Sequence, residues 1–159
     1  MQTENNIPIQ WACIKFEDLR AEELYAILQL RSKVFVVEQN CIYLDMDDKD
    51  QKCFHFCGWY GDELAAYVRI VPPGVAFDEV SIGRVVTNSK YRKGGLGRML
   101  MNKAIDVCVK IFGEQPIKIG AQLYLKRFYE SLGFIQCSDM YLEDDIEHIK
   151  MLLNPKSKR

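Results

Sequence analysis

The chain has 159 residues, enough for one domain, and its 48% hydrophobic and 27% charged content is that of a globular protein, which excludes disorder as the whole account. With 21 Lys and Arg against 22 Asp and Glu, the net charge of -1 offers no general attraction to nucleic acid or an anionic membrane, so neither is an expected partner. The longest apolar run, Leu64 to Val68, is far short of the roughly 20 residues of a membrane span.

The segment Met1 to Gln10 lacks the positive region and apolar stretch of a secretory leader, so the six cysteines read as reduced thiols in a cytoplasmic protein. Leu19 to Val37 carries Leu24, Ile27, Leu28 and Val34 at helical spacing and predicts an amphipathic helix. A polar, aspartate-rich loop follows from Gln39 to Gln51. Cys53 to Tyr60 and Glu63 to Val71, rich in aromatic and branched residues and separated by Gly61-Asp62, predict a hairpin. Val80 to Thr87 is a further strand, and Arg98 to Phe112 is a helix whose polar residues fall at steps of four, so that it lies flat on a sheet. Ile117 to Ala121, Phe134 to Tyr141 and His148 to Leu153 read as strands, with a short helix from Tyr124 to Leu132. The succession predicts one mixed α/β domain over 1–159, with a central sheet flanked by helices and a frayed tail from about 154.

Chemistry concentrates between Val85 and Arg98. A strand feeds a turn with Gly94, Gly95 and Gly97 and the cations Lys90, Arg92, Lys93 and Arg98, and the turn opens directly into a helix. Glycines let backbone N–H groups converge, and the first helical turn has unpaired donors and the positive end of the helix dipole, so this is a cradle for phosphate. The GxxxxGK[ST] motif of ATP-binding loops is absent, and the dinucleotide pattern GxGxxG fails because Leu100 stands at its last glycine.

What remains is Arg92-x-x-Gly95-x-Gly97, which resembles the coenzyme A pyrophosphate loop of the GCN5-related N-acetyltransferase (GNAT) superfamily. Gly120-Ala121-Gln122, then Lys126 to Phe134 with Tyr129 and Leu132-Gly133-Phe134, resembles that superfamily's second signature. Leu28 to Arg31 and Val34 to Cys41 are similar to its ElaA-type branch, and the likeness extends from about Trp11 to Met151.

The resemblance implies an acyltransferase that moves an acetyl group from acetyl-CoA to an amine, either a small molecule or a peptide, by direct attack and without a metal. It implies that the backbone of Val85, Val86 and Thr87 pairs with the pantetheine arm. Arg92, Lys93, Gly94, Gly95, Leu96, Gly97 and Arg98 would hold the pyrophosphate, Gln122 would touch the pantetheine, and Tyr129 would be the general acid. Lys93 replaces a second glycine and Gln122 a frequent asparagine of the family pattern. The N–H of Val86 is the expected oxyanion donor. For the general base the candidates are Glu38, Glu79, His55 and His148, with Glu38 ranked first because a carboxylate beside Val36-Val37 at a helix end is partly buried. The cysteines are expected to pack rather than react. Two acidic stretches, Asp45 to Asp50 and Glu143 to Glu147, are expected either to steer a protonated amine or to be solvated loops. The chain is expected to act as a monomer or homodimer. The rival reading is a non-catalytic acyl-CoA-binding or sensing module, and a nucleic-acid role of the Lys90 to Arg98 cluster is the third.

Overall fold

In the computed structural model, which describes residues 8–155, the strands are β1 (Gln10–Lys15), β2 (Phe54–Tyr60), β3 (Glu63–Val71), β4 (Val80–Thr87), β5 (Ile117–Gln122), β6 (Ile135–Gln136), β7 (Tyr141–Glu143) and β8 (Ile146–Leu153). They form one sheet in the order β1-β2-β3-β4-β5-β8-β6, with β7 also pairing with β8. Every pairing is antiparallel except that of β4 with β5, which is parallel. The helices are α1 (Ala21–Arg31), α2 (Leu96–Phe112) and α3 (Lys126–Glu130). This is the expected mixed α/β arrangement, a sheet flanked by helices.

Side-chain alternation distributes the strands between two apolar layers. Val68 and Ile70 of β3, with Val80 and Ile82 of β4, pack under Leu100, Met101, Ala104 and Ile105 of α2. Tyr67 of β3 and Val86 of β4 belong to the other layer, with Ile27 and Leu30 of α1 and Val34. The polar residues of α2 are left on its outer side, as their spacing requires.

Several boundaries differ from the sequence reading, among them α3, which is preceded by a 3-10 turn at Leu123–Leu125, and four have a clear local reason. The first helix does not run on as an α-helix: Ser32–Glu38 is a π-helical turn, with the Gln39 N–H donating to the Val34 carbonyl and the Cys41 N–H to the Val36 carbonyl, both at 3.1 Å. Helix α2 starts at Leu96 because Gly95, at φ 78°, is its N-cap. The expected strand from Phe134 to Tyr141 is broken into β6 and β7, since Ser138 Oγ takes the Lys150 N–H at 2.8 Å in place of a strand carbonyl. The last strand begins at Ile146, joined to β7 by the turn Asp144-Asp145, both with positive φ, as a two-residue hairpin turn demands. Strand β1, on the sheet edge, was not expected; its half-buried, mixed pattern acquires meaning only from pairing with β2.

Pro155 is still buried, so the chain stays packed past the expected start of the tail, and Lys156 to Arg159 lie outside the described residues. No helix among the described residues is long and apolar enough to cross a membrane.

Candidate active site

An irregularity in β4 creates the site. Arg69 pairs with Gly83 and Tyr67 with Val86, so Arg84 and Val85 together stand opposite the single residue Val68. This is a β-bulge, and Arg84 adopts φ 48° within it, a conformation that costs a non-glycine residue roughly 1–3 kcal/mol. Parallel pairing of β4 with β5 stops after Ser81 and Lys118, and the two strands then part. A cavity of about 1100 Å³ opens at the parting, lined by β4 and β5, by Glu38 and Gln39, and by Tyr129 of α3.

The ladder decides which backbone groups of β4 face this gap. The Asn88 N–H donates to the Ala65 carbonyl at 2.8 Å. Alternate residues of an antiparallel strand turn their N–H and C=O groups to opposite neighbours, so Val86, like Asn88, addresses β3, while Thr87 addresses the gap. The expectation that Val86 offers its N–H is therefore corrected: its register partner Tyr67 takes it. Val85 is a bulge residue outside that pairing and lines the cavity.

Beyond β4, Asn88 caps a short 3-10 turn, its side chain accepting from the Lys90 N–H at 3.1 Å. Gly94 and Gly95 then take φ 89° and 78°, which turns the chain into α2 with the N–H groups of Leu96, Gly97 and Arg98 outward and without intrahelical partners. Gly97 is different. Its φ is not in the left-handed region, and a Cβ there would meet only Phe128, at an ordinary 3.9 Å. Nothing in the fold around Gly97 requires it to lack a side chain. Around the cradle, Arg92 donates to the Thr87 carbonyl at 3.1 and 3.3 Å, Arg98 lies over the Phe128 ring, and Lys93 is exposed.

Tyr129 reaches the cavity from α3, a helix fixed by the contacts of its aromatic residues: Phe128 and Phe134 both meet the Tyr129 ring edge to face. Burial pushes its hydroxyl up to about 12, with the neighbouring Tyr124 adding to the effect. The hydroxyl makes no hydrogen bond to the described residues, so the tether to backbone that a purely structural tyrosine would show is missing. Gln122, at the end of β5, lines the cavity and donates to the Gln39 side chain at 3.2 Å, bridging the gap to the π-helical turn.

The four candidate bases are separated by their surroundings. His55 is fully buried, with one ring nitrogen donating to the Asp50 carbonyl at 2.9 Å and the other accepting from Tyr67 at 2.7 Å, and burial lowers its pKa. Glu79 does not line the cavity. Glu38 does, but its carboxylate is paired with Arg92 at 2.7 Å. His148 lines the cavity from β8.

The loop before β2 hides a feature the sequence reading missed. Asp45 and Asp50 are buried and Asp47 is mostly so; they bind Arg31, Arg69 and Arg84 at 2.7–2.9 Å. The positive groups hold the Asp47 and Asp50 carboxyls below the usual range, against the burial that would raise them. This acidic stretch is thus neither a solvated loop nor a free attractor of cations. It is the negative half of a balanced network that pins the loop, α1, β3 and the bulge together. Only the three-dimensional pairing reveals it, because Arg31 and Arg69 sit at helix and strand positions where arginines are ordinarily solvated.

The chain is similar to known proteins in sequence and fold. A model of the acetyltransferase (GNAT) domain matches residues 17–155. Protein ElaA of Escherichia coli strain K12 is 42% identical over 145 residues, which cover 90% of this chain and 95% of that one. The crystal structure of Escherichia coli ElaA superposes with a TM-score of 0.86 at 40% identity, covering 92% of this chain and 99% of that chain. An acyl-CoA N-acyltransferase from Pseudomonas aeruginosa gives a TM-score of 0.88 at 40% identity, with the same coverage of 92% and 99%. Parted parallel strands, glycine turn and near full-length likeness converge, and the chain belongs to the GNAT acetyltransferase family, close to ElaA.

Proposed function

We propose that this protein transfers an acetyl group from acetyl-CoA to an amine by direct attack. The observation that carries the reading is the convergence, on one cavity, of the bulged strand β4, Arg92 from the edge of the glycine turn, and Tyr129 from α3. Acetyl-CoA supplies a thioester, whose cleavage needs a donor for the developing oxyanion and a proton for the departing sulfur. The N–H groups of Leu96, Gly97 and Arg98, with the Arg92 and Lys93 charges, hold the pyrophosphate. Thr87 and Gln122 face the pantetheine arm. The Val85 N–H takes the role first given to Val86 and donates to the acyl oxygen. Tyr129, with its pKa pushed up to about 12, stays protonated and gives its proton to the sulfur.

The cysteines do not form an acyl-enzyme in this reading. Among the described cysteines Cys41 lines the cavity, and its thiol donates to the Asp144 carbonyl at 3.6 Å; Cys53, Cys57 and Cys108 lie outside it, and burial pushes the thiols of Cys57 and Cys108 up to about 12 and that of Cys53 to about 11, so these three carry almost no thiolate at neutral pH. On the same reading the protein works in the cytoplasm, as a monomer or homodimer, and its acceptor is a small-molecule or peptide amine. Thiol release from acetyl-CoA, measured against a panel of amines, tests the reading. A thermal shift with CoA and no amine-dependent release with any acyl-CoA would favour a binding or sensing module instead.

A further inference from the structure

We propose that His148 is the general base of this site and that Glu143 supports the charge it acquires, an inference that rests on the acetyl-transfer reading. The ring's tautomer follows from its partner. His148 Nδ1 lies 2.7 Å from the Ile146 carbonyl oxygen. A carbonyl can only accept, so Nδ1 carries the hydrogen, and in the neutral ring the lone pair is on Nε2. Nε2 stands 3.5 Å from the Glu143 carboxylate, and both residues line the cavity. When Nε2 gains a proton, the resulting cation faces a carboxylate already in place.

The position suits the task. His148 is the register partner of Gln122, and counting on from the last paired residues of β4 and β5, Ser81 and Lys118, brings Gln122 level with the bulge. His148 is therefore one strand beyond β5 at the height of the oxyanion donor. Strands are about 4.8 Å apart, so its backbone stands roughly 10 Å from β4, plus the parting, a span filled by the acceptor amine or by one relaying water. Tyr141 of β7 stacks on the ring at 5.9 Å and leaves the residue 8% exposed, which fixes its orientation. The charged or titratable groups around it are Glu143 and Tyr141 of β7, Asp144 at the turn, and Lys150 of β8 across the Tyr141 ring. By contrast Glu38 is already bound to Arg92, and both nitrogens of His55 are engaged.

The step balances as follows. The amine nitrogen forms a bond to the acyl carbon, and its proton passes to His148 Nε2. The carbon–sulfur bond breaks, and the sulfur takes the Tyr129 proton, giving an amide and the free CoA thiol. His148 then returns its proton to solvent, and Tyr129 regains one.

Two measurements test the assignment. Ring nitrogen–proton correlation spectra of the wild type need no acceptor, and with two histidines in the chain a His148→Gln variant assigns the signals. In the neutral ring His148 is expected to carry its hydrogen on Nδ1 and to leave Nε2 bare. A neutral ring that carries its hydrogen on Nε2 instead would overturn the proposal. The second measurement is thiol release from acetyl-CoA with spermidine, tyramine and an Nα-blocked lysine as probe amines. His148→Gln should keep the CoA thermal shift and lower kcat by about a hundredfold or more, with partial recovery of His148→Ala by added imidazole. Glu143→Gln should lose about three- to tenfold, within the range of a supporting charge. Full activity in His148→Gln, with collapse in Glu38→Gln, would return the base to Glu38. No release from wild type with any probe would instead overturn the acetyl-transfer reading, whatever the spectra show of the ring.

Discussion

The Glu38 carboxylate lies 2.7 Å from the Arg92 guanidinium across 54 residues of sequence, tying the π-helical turn to the phosphate cradle. Arg92 is also held by its bonds to the Thr87 carbonyl, so it does not depend on Glu38 for its place. Glu38 then contributes mainly a negative charge beside a site for anions. Glu38→Gln should tighten CoA binding by about two- to fivefold, a change below roughly 1 kcal/mol, as measured by titration calorimetry. Weaker binding would mean that Glu38 positions Arg92.

Gly95 and Gly97 should respond differently to alanine. Gly95 sits at φ 78°, where a Cβ costs about 1–2 kcal/mol, so Gly95→Ala should lower the melting temperature of the free protein. Gly97→Ala should not, since helical alanine is favoured over glycine by up to about 1 kcal/mol and its Cβ has room. It should nevertheless lose most of the stabilisation that CoA gives the wild type, about 2.7 kcal/mol at a hundredfold excess over Kd. An undiminished shift in Gly97→Ala would remove the pyrophosphate from this turn.

Tyr129→Phe should lower kcat by about ten- to a thousandfold and change CoA affinity by no more than a few fold, because the hydroxyl acts on the leaving sulfur rather than in binding. The same kinetics should show no loss of rate attributable to Tyr129 ionisation below about pH 10, since burial pushes its hydroxyl up to about 12. Normal turnover in the variant would make Tyr129 a packing residue.

The aspartate–arginine network should govern both stability and its acid limit. Arg31 is fully buried against Asp45 and Asp50, and Arg31→Met strands those charges, at a cost of about 3–5 kcal/mol in denaturant unfolding. Burial raises the Asp47 carboxyl, but Arg69 and Arg84 outweigh it and the folded-state pKa is depressed. A group depressed on folding stabilises above its unfolded pKa, near 3.9 for aspartate, and loses that contribution as pH falls through the folded value. Between about pH 5 and pH 3 the wild type should therefore lose more stability in urea than Asp47→Asn does. Parallel losses in the two proteins would show that Asp47 is not coupled to folding.

The sequence by itself determined the layers and the cradle, because both are written in local patterns. The apolar face of α2, the alternation in β3 and β4 and the Gly94 to Gly97 turn each depend on residues a few positions apart, and the physics of period and backbone freedom reads them directly. Tertiary structure alone decided what depends on register and on distant partners. The bulge at Arg84 and Val85 shifts the register so that Val86 pairs with Tyr67 of β3, a one-residue shift that no side-chain pattern encodes. Asp45, Asp47 and Asp50 look solvated until Arg31, Arg69 and Arg84 are brought to them from three other elements. The sequence ranks Glu38 ahead of His148 as a base; their partners, Arg92 for one and the Ile146 carbonyl for the other, appear only in the folded chain, because a side chain's chemistry is set by the groups its neighbours leave free.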